Sequence, residues 1–227
     1  MKIFGVWAGE INEARRSEVP RVDDFVNALK IAQASLAERD PAELCGNAGG
    51  ELLSLPEGTV IRLPFFRRLV EITYPEGRVT YAESTEAPSL QEQGLILHYL
   101  LGACDLPPTK ELITFREIPS GEFYYQPFVN RAQIPLVNTF GSDLVLFRTA
   151  GLKAGGTEAG MGDASLTFHP LPKVPVTLVL WQGDEEFPST SNILFDGNIK
   201  HYLDGEDIAF LAGIVVYKLM AQAAHDR

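Results

Sequence analysis

Apolar residues change their spacing repeatedly along this chain, and that change restricts the fold more than any single motif does. Val22, Phe25, Val26, Leu29, Ala32 and Leu36 recur at steps of three and four, which predicts an amphipathic helix over residues 22–38. Pro20 and Asp23-Asp24 suit its start, and a short second helix is expected over residues 42–45, its end signalled by Gly46 and then Gly49-Gly50. The period then shortens. Residues 52–55, 59–66 and 68–74 are β-prone runs separated by prolines or Pro-Glu-Gly, and Tyr74-Pro75-Glu76-Gly77-Arg78 is expected to close a hairpin. Helical spacing returns over residues 89–104 and is stopped by Pro107-Pro108. Residues 112–118 read as a strand, and residues 128–152 as a helix that Pro135 and Gly141 start, kink or divide. A glycine-rich loop over residues 154–163 leads to strands over 164–171 and 174–181, joined at Pro172-Lys173, and to a third over 192–196. A helix over residues 206–225, opened by Asp204 and Gly205, closes the chain.

Strands and helices mixed without regular alternation exclude a doubly wound parallel sheet and predict an α+β fold. We expect a largely antiparallel, mixed sheet with flanking helices, in a single domain with an N-terminal helical segment. On this reading residues 1–20 are an extension and the core spans about 22–219. A 45% hydrophobic and 22% charged composition over 227 residues suffices for one sizeable core.

Nineteen Lys and Arg against thirty Asp and Glu give a formal charge of −11. Phosphate-rich surfaces repel such a chain, so neither nucleic acid nor an anionic membrane is expected as a partner. A small molecule, a protein partner or a second copy stays open. Two cysteines, Cys45 and Cys104, are too few for a thiolate metal site and point to packing residues in a reduced, cytoplasmic chain. The first ten residues make a poor signal peptide, and the apolar stretch over 208–221, broken by Gly213 and Lys218, falls short of the ~20 residues a bilayer span needs.

Three groups of residues could carry chemistry. Asp184-Glu185-Glu186 follow an apolar strand that ends at Trp181, with Asp163 and Asp196 near neighbouring strand ends. Gathered together, these oxygens would suit a hard divalent cation such as Mg²⁺ or Ca²⁺; spread apart, they are solvated turn residues. His98, in Leu97-His98-Tyr99-Leu100-Leu101, is either an axial ligand to a tetrapyrrole or corrinoid metal or a core histidine bonded to a carbonyl or carboxylate. Arg116 and Glu117 lie beside Phe123, Tyr124 and Tyr125, so the guanidinium could grip the carboxylate of a flat ligand or pair with an acid and fix the sheet. No HExxH, GxSxG or P-loop occurs, the glycine-rich loop is a lid or a plain connection, and no catalytic residue is assigned.

The same residues carry a resemblance. Leu97-His98-Tyr99-Leu100-Leu101, Phe115-Arg116-Glu117-Ile118-Pro119-Ser120-Gly121, Pro135-Leu136 with Phe140-Gly141, and Gly162-Asp163-Ala164 are followed by Trp181-Gln182-Gly183-Asp184-Glu185-Glu186-Phe187-Pro188. Asn192-Ile193-Leu194-Phe195-Asp196, Tyr202-Leu203 and Glu206-Asp207 complete the order. It resembles the DUF3786 family of bacterial and archaeal proteins, from about Val22 to Leu219, most specifically over residues 183–196. The family's biochemical function is not established. The resemblance implies an anaerobe's protein and a context near corrinoid-dependent one-carbon metabolism, where such domains are sometimes fused to a small iron–sulfur domain. This chain has no cysteine cluster, so no iron–sulfur role carries over.

These residues leave three expectations. The first is a small-molecule or cofactor-binding or accessory protein, with His98, Arg116, Glu117, Tyr124 and Trp181 as ligand-binding residues and a tetrapyrrole or corrinoid as a possible ligand. The second is a metal-dependent enzyme using Asp163, Asp184, Glu185, Glu186 and Asp196. The third is a structural subunit.

Overall fold

The computed structural model describes residues 22–225; the expected extension over residues 1–20 lies outside them. Helix α1 (Val22–Ala37) buries Leu29, Ala32 and Leu36, the inner part of the apolar stripe. Asp40 caps α2 (Pro41–Ala48) by accepting the N–H groups of Ala42 and Glu43 at 2.7 and 3.2 Å, with Pro41 in the first turn. This helix passes through Gly46, because the left-handed residue that stops it is Gly49, at φ 72°.

Strands β1 (Glu51–Leu55), β2 (Gly58–Phe65), β3 (Arg68–Tyr74) and β4 (Val79–Tyr81) form an antiparallel meander in chain order. Its register places Ile61 opposite Ile72 and Leu63 opposite Val70 on the buried face. Arg62 lies opposite Glu71 on the other face, with guanidinium and carboxylate 2.6 Å apart. Helix α3 (Leu90–Gly102) opens with a reciprocal capping box between Ser89 and Glu92 and packs on α1 and α2.

The chain then builds a second sheet. Its strands are β5 (Leu112–Thr114), β6 (Thr157–Glu158), β7 (Ala164–Leu171), β8 (Val174–Trp181) and β9 (Thr190–Asp196), in the order β5-β9-β8-β7-β6 with every neighbour antiparallel. The single expected sheet is thus two, because the excursion through α3 carries the chain away from β4 before β5 pairs with β9. Central β8 is covered on both faces, which explains its continuous apolar run from Leu178 to Leu180.

Helices α4 (Gly121–Phe128), α5 (Ile134–Phe140), α6 (Leu144–Lys153), α7 (Ile199–Tyr202) and α8 (Gly205–His225) complete the fold. The helix expected over 128–152 begins earlier, at Gly121, and is divided by a π-helical turn at Val129–Gln133 and by a break after Phe140. The strand expected over 112–118 stops at Thr114, where a 3₁₀ turn (Phe115–Glu117) begins. Helix α8 has 21 residues, more than the apolar stretch alone suggested, and by length and composition it could cross a bilayer. Here half of its apolar window is buried, packed on α4, α5, α6 and β7. Buried side chains from Leu29 to Ala223 form one contiguous core that spans both sheets.

Because Leu211 is fully buried in α8, Leu211→Ala is expected to cost about 2–5 kcal/mol in urea denaturation. Tyr217→Ala, on the exposed side of the same helix, should stay within about 0.5 kcal/mol. Equal effects would contradict the placement of α8.

Candidate functional site

Backbone geometry after β5 builds a pocket. Thr114 donates its N–H and its hydroxyl to Glu117 at 2.7 and 2.8 Å, closing the 3₁₀ turn. These bonds hold the Glu117 carboxyl below its usual range. Ser120 lies in the left-handed region at φ 64°, and at Gly121 a methyl group would drive into the Phe115 carbonyl oxygen. The chain therefore reverses tightly and sends α4 back along the turn. This return stacks Phe128 on Phe115, with centroids 4.2 Å apart and planes 4° from parallel, and sets the Arg116 guanidinium 4.0 Å from the Tyr125 ring centroid.

The π-helical turn then carries Gln133 to the same place, and β9 supplies Asn192. Thr114, Phe115, Arg116, Tyr125, Phe128, Gln133 and Asn192 line a cavity of about 290 Å³. Its lining contains three rings, one guanidinium and two carboxamides, and no acid. Asn192 accepts the Ile193 N–H through its own Oδ1 at 2.9 Å, which leaves its amide N–H groups as the donors it can offer a ligand. At the rim, Glu122 comes within 3.7 Å of Arg116, both side chains being largely exposed. Residues inserting one extra unit into a helical turn occur often at functional sites, and here that turn shapes the wall.

Of the five ligand-binding residues expected from the sequence, Arg116 is the one that lines this cavity, together with Tyr125 from the aromatic run beside it. Glu117 is committed to the 3₁₀ cap. Trp181 ends β8 opposite Thr190, and His98 lies on α3. His98 and Arg116 therefore do not share one cavity. Tyr124 points from α4 toward α8, where its hydroxyl donates to Glu206 at 3.4 Å. Gln133 escapes a reading of the sequence, because a π-helical turn leaves no periodic signature; Asn192 is legible as a strand residue but not as a cavity residue, because an amide in a strand reads as ordinary polarity.

His98 belongs to a second group. Its Nδ1 lies 2.9 Å from Asp207 Oδ2 in the first turn of α8, the carboxylate-bonded alternative considered for it. Burial alone would pull its pKa down, but the hydrogen bond to Asp207 and the charges of Asp207, Asp204 and Glu206 push it above the ordinary value. Burial also pushes the Asp207 carboxyl up, against the opposing pull of His98. Glu206 is raised by burial and by Asp204 and Asp207, and Tyr124 is pushed up to about 12, by burial first and Glu206 second.

The five carboxylates expected to gather do not. Asp163 and the Asp184-Glu185-Glu186 turn lie at the end of the second sheet where Trp181 pairs with Thr190, whereas Asp196 lies at the far end of β9. Six residues of strand, roughly 20 Å, separate the two ends. Each of three aspartates already serves the backbone. Asp163 accepts the Gln182 N–H at 2.8 Å. Asp184 accepts those of Glu186 and Phe187, which hold its pKa down. Asp196, 5% exposed, accepts those of Thr109, Lys110 and Asn198. Burial works against the charge of Asp196, yet these bonds keep it below the usual range. Among the described residues no three of His, Cys, Asp and Glu are arranged to hold a metal ion. Cys45 is buried, and burial, aided by Glu51, pushes its thiol up, as suits a packing residue.

A raised His98 pKa stabilises the fold fully below the unfolded value of about 6.5, and this contribution disappears as pH rises through the folded value. The stability advantage of the native chain over His98→Gln in urea should therefore be largest below about pH 6.5 and shrink at higher pH. In Asp207→Asn, an NMR titration should find the His98 pKa lowered, since burial then acts with less opposition. A pKa unchanged by Asp207→Asn would rule out the pairing as its cause.

A family model described as a domain of unknown function, DUF3786, matches residues 40–218. No curated protein and no solved structure matches the chain. With most of its length covered by that match, from α2 to the last turns of α8, the chain belongs to the DUF3786 family.

Proposed function

We propose that this protein binds a small organic molecule in the cavity between the 3₁₀ turn, α4 and β9. The observation that carries this reading is the contrast between the cavity and the rest of the chain. A protein of formal charge −11 here presents a guanidinium, two carboxamides and the Tyr125 ring, over buried Phe115 and Phe128, without an acid in the lining. Small-molecule sites place a few convergent polar groups beside an apolar surface, and here Thr114, Arg116, Gln133 and Asn192 converge beside Tyr125. Its volume of about 290 Å³ falls just below the ~300–1,000 Å³ found for such sites, so a small molecule suits it better than a tetrapyrrole or corrinoid macrocycle.

Saturation-transfer NMR with phenol, benzamide and benzoate tests the site. At least one should receive magnetisation from the native protein and lose it in Gln133→Phe, which fills the cavity wall, while circular dichroism stays unchanged. Absence of transfer from all three, or transfer indifferent to Gln133→Phe, would refute this assignment.

A further inference from the structure

The first sheet ends on a strand with the properties of a docking edge. We infer that β1 (Glu51–Leu55) accepts an extended, basic segment of a partner protein as a fifth strand.

Backbone pairing supplies the first reason. β1 joins β2 in an unbroken antiparallel register, from Glu51 opposite Arg62 to Leu55 opposite Gly58, so every second residue directs its N–H and C=O away from β2. Among the described residues nothing takes up those groups: β1 stands at the end of its sheet, and no backbone hydrogen bond leaves residues 51–55 for another element. A row of unpaired N–H and C=O groups is a template for one more strand.

Absence of the usual guards is the second reason. The other three sheet edges, β4, β5 and β6, have three, three and two residues, too few to hold much chain. β1 has five, without a lysine, a proline or a bulge, the devices that keep exposed edges from pairing. It carries three leucines instead. Leu52, opposite the fully buried Ile61, continues the core face of the sheet yet is 38% exposed, and Leu55 is 41% exposed. An apolar residue of an added strand would cover Leu52 on that face.

Charge selects the partner. Glu51 and Glu57 bracket the edge and are both exposed. Arg62 leaves Glu51 only weakly paired, at 3.6 Å, because Glu71 holds the same guanidinium at 2.6 Å. Lysine or arginine near both ends of an incoming strand would each meet a carboxylate. A second copy fits poorly: an antiparallel pair of β1 strands centred on Leu53 brings Glu51 of one copy close to the Glu57 turn of the other, between chains that each carry −11.

Two-dimensional NMR of the full chain with three eight-residue peptides tests the edge: valine alternating with lysine, valine alternating with glutamate, and glycine alternating with lysine. The valine–lysine peptide should shift the amide resonances of residues 51–55 above all others and slow their hydrogen exchange. The valine–glutamate peptide should bind about threefold to tenfold more weakly. The glycine–lysine peptide, equal in charge but poor in strand propensity, should leave β1 unchanged. In the double variant Glu51→Lys, Glu57→Lys, whose side chains are exposed, the preference should reverse toward the glutamate peptide. Shifts centred elsewhere on the chain, equal binding of all three peptides, or no shift at β1 would overturn the inference. So would a dimer of the native chain in sedimentation that Leu52→Lys dissolves, since a second copy would then occupy the edge.

Discussion

Burial of α8 is the constraint on which the rest of the molecule depends. Ile208, Ala209, Leu211, Ala212, Val215, Val216 and Leu219 are almost wholly removed from water, and the surfaces that cover them come from α4, the π-helical turn, α5, α6 and β7. Each Leu, Ile or Val so buried contributes about 1.5–3 kcal/mol relative to exposure. Segments with little helical length of their own, such as the eight residues of α4 and the seven of α5, gain their stability from that contact.

The cavity is a consequence of this wrapping. Helix α4 is pressed on α8 through one side, where Tyr124 reaches Glu206, and the adjacent Tyr125 is thereby turned toward Arg116. Successive helical residues point about 100° apart, so two neighbouring tyrosines serve two different places. One belongs to the His98–Asp207 group and the other to the cavity. The division of labour follows from helix geometry alone, given that α4 is fixed against α8.

Electrostatics obeys the same logic. Carboxylates that looked like a metal set are individually consumed by backbone N–H groups: Asp196 ties the loop after α3 to β9, Asp163 ties β7 to the end of β8, and Asp184 closes its own turn. Acidic side chains paired with N–H donors remain charged and hold loops in place. Asp207, by contrast, meets a histidine in a buried setting, and that pair joins α3 to α8.

Periodicity and turn chemistry made most of the elements legible. The α1 stripe, the Ser89 start of α3, the hairpin at Tyr74 to Arg78 and the β7–β8 pair all follow from local spacing and from residues that cap or turn. Antiparallel α+β architecture follows as well, because the strands are short and joined by tight turns. Local sequence could also name Arg116 beside aromatics, and the resemblance it carries matches the family found. It could not divide the strands between two sheets, since pairing partners lie far apart in the chain: β5 finds β9 some eighty residues later. Nor could it separate His98 from Arg116 or disperse the five carboxylates, because the distance between strand ends is set by register and not by sequence spacing. Residue types and their local conformations were determined by the chain itself; which of them meet was decided by long-range packing around α8, where burial of apolar area outweighs local preference.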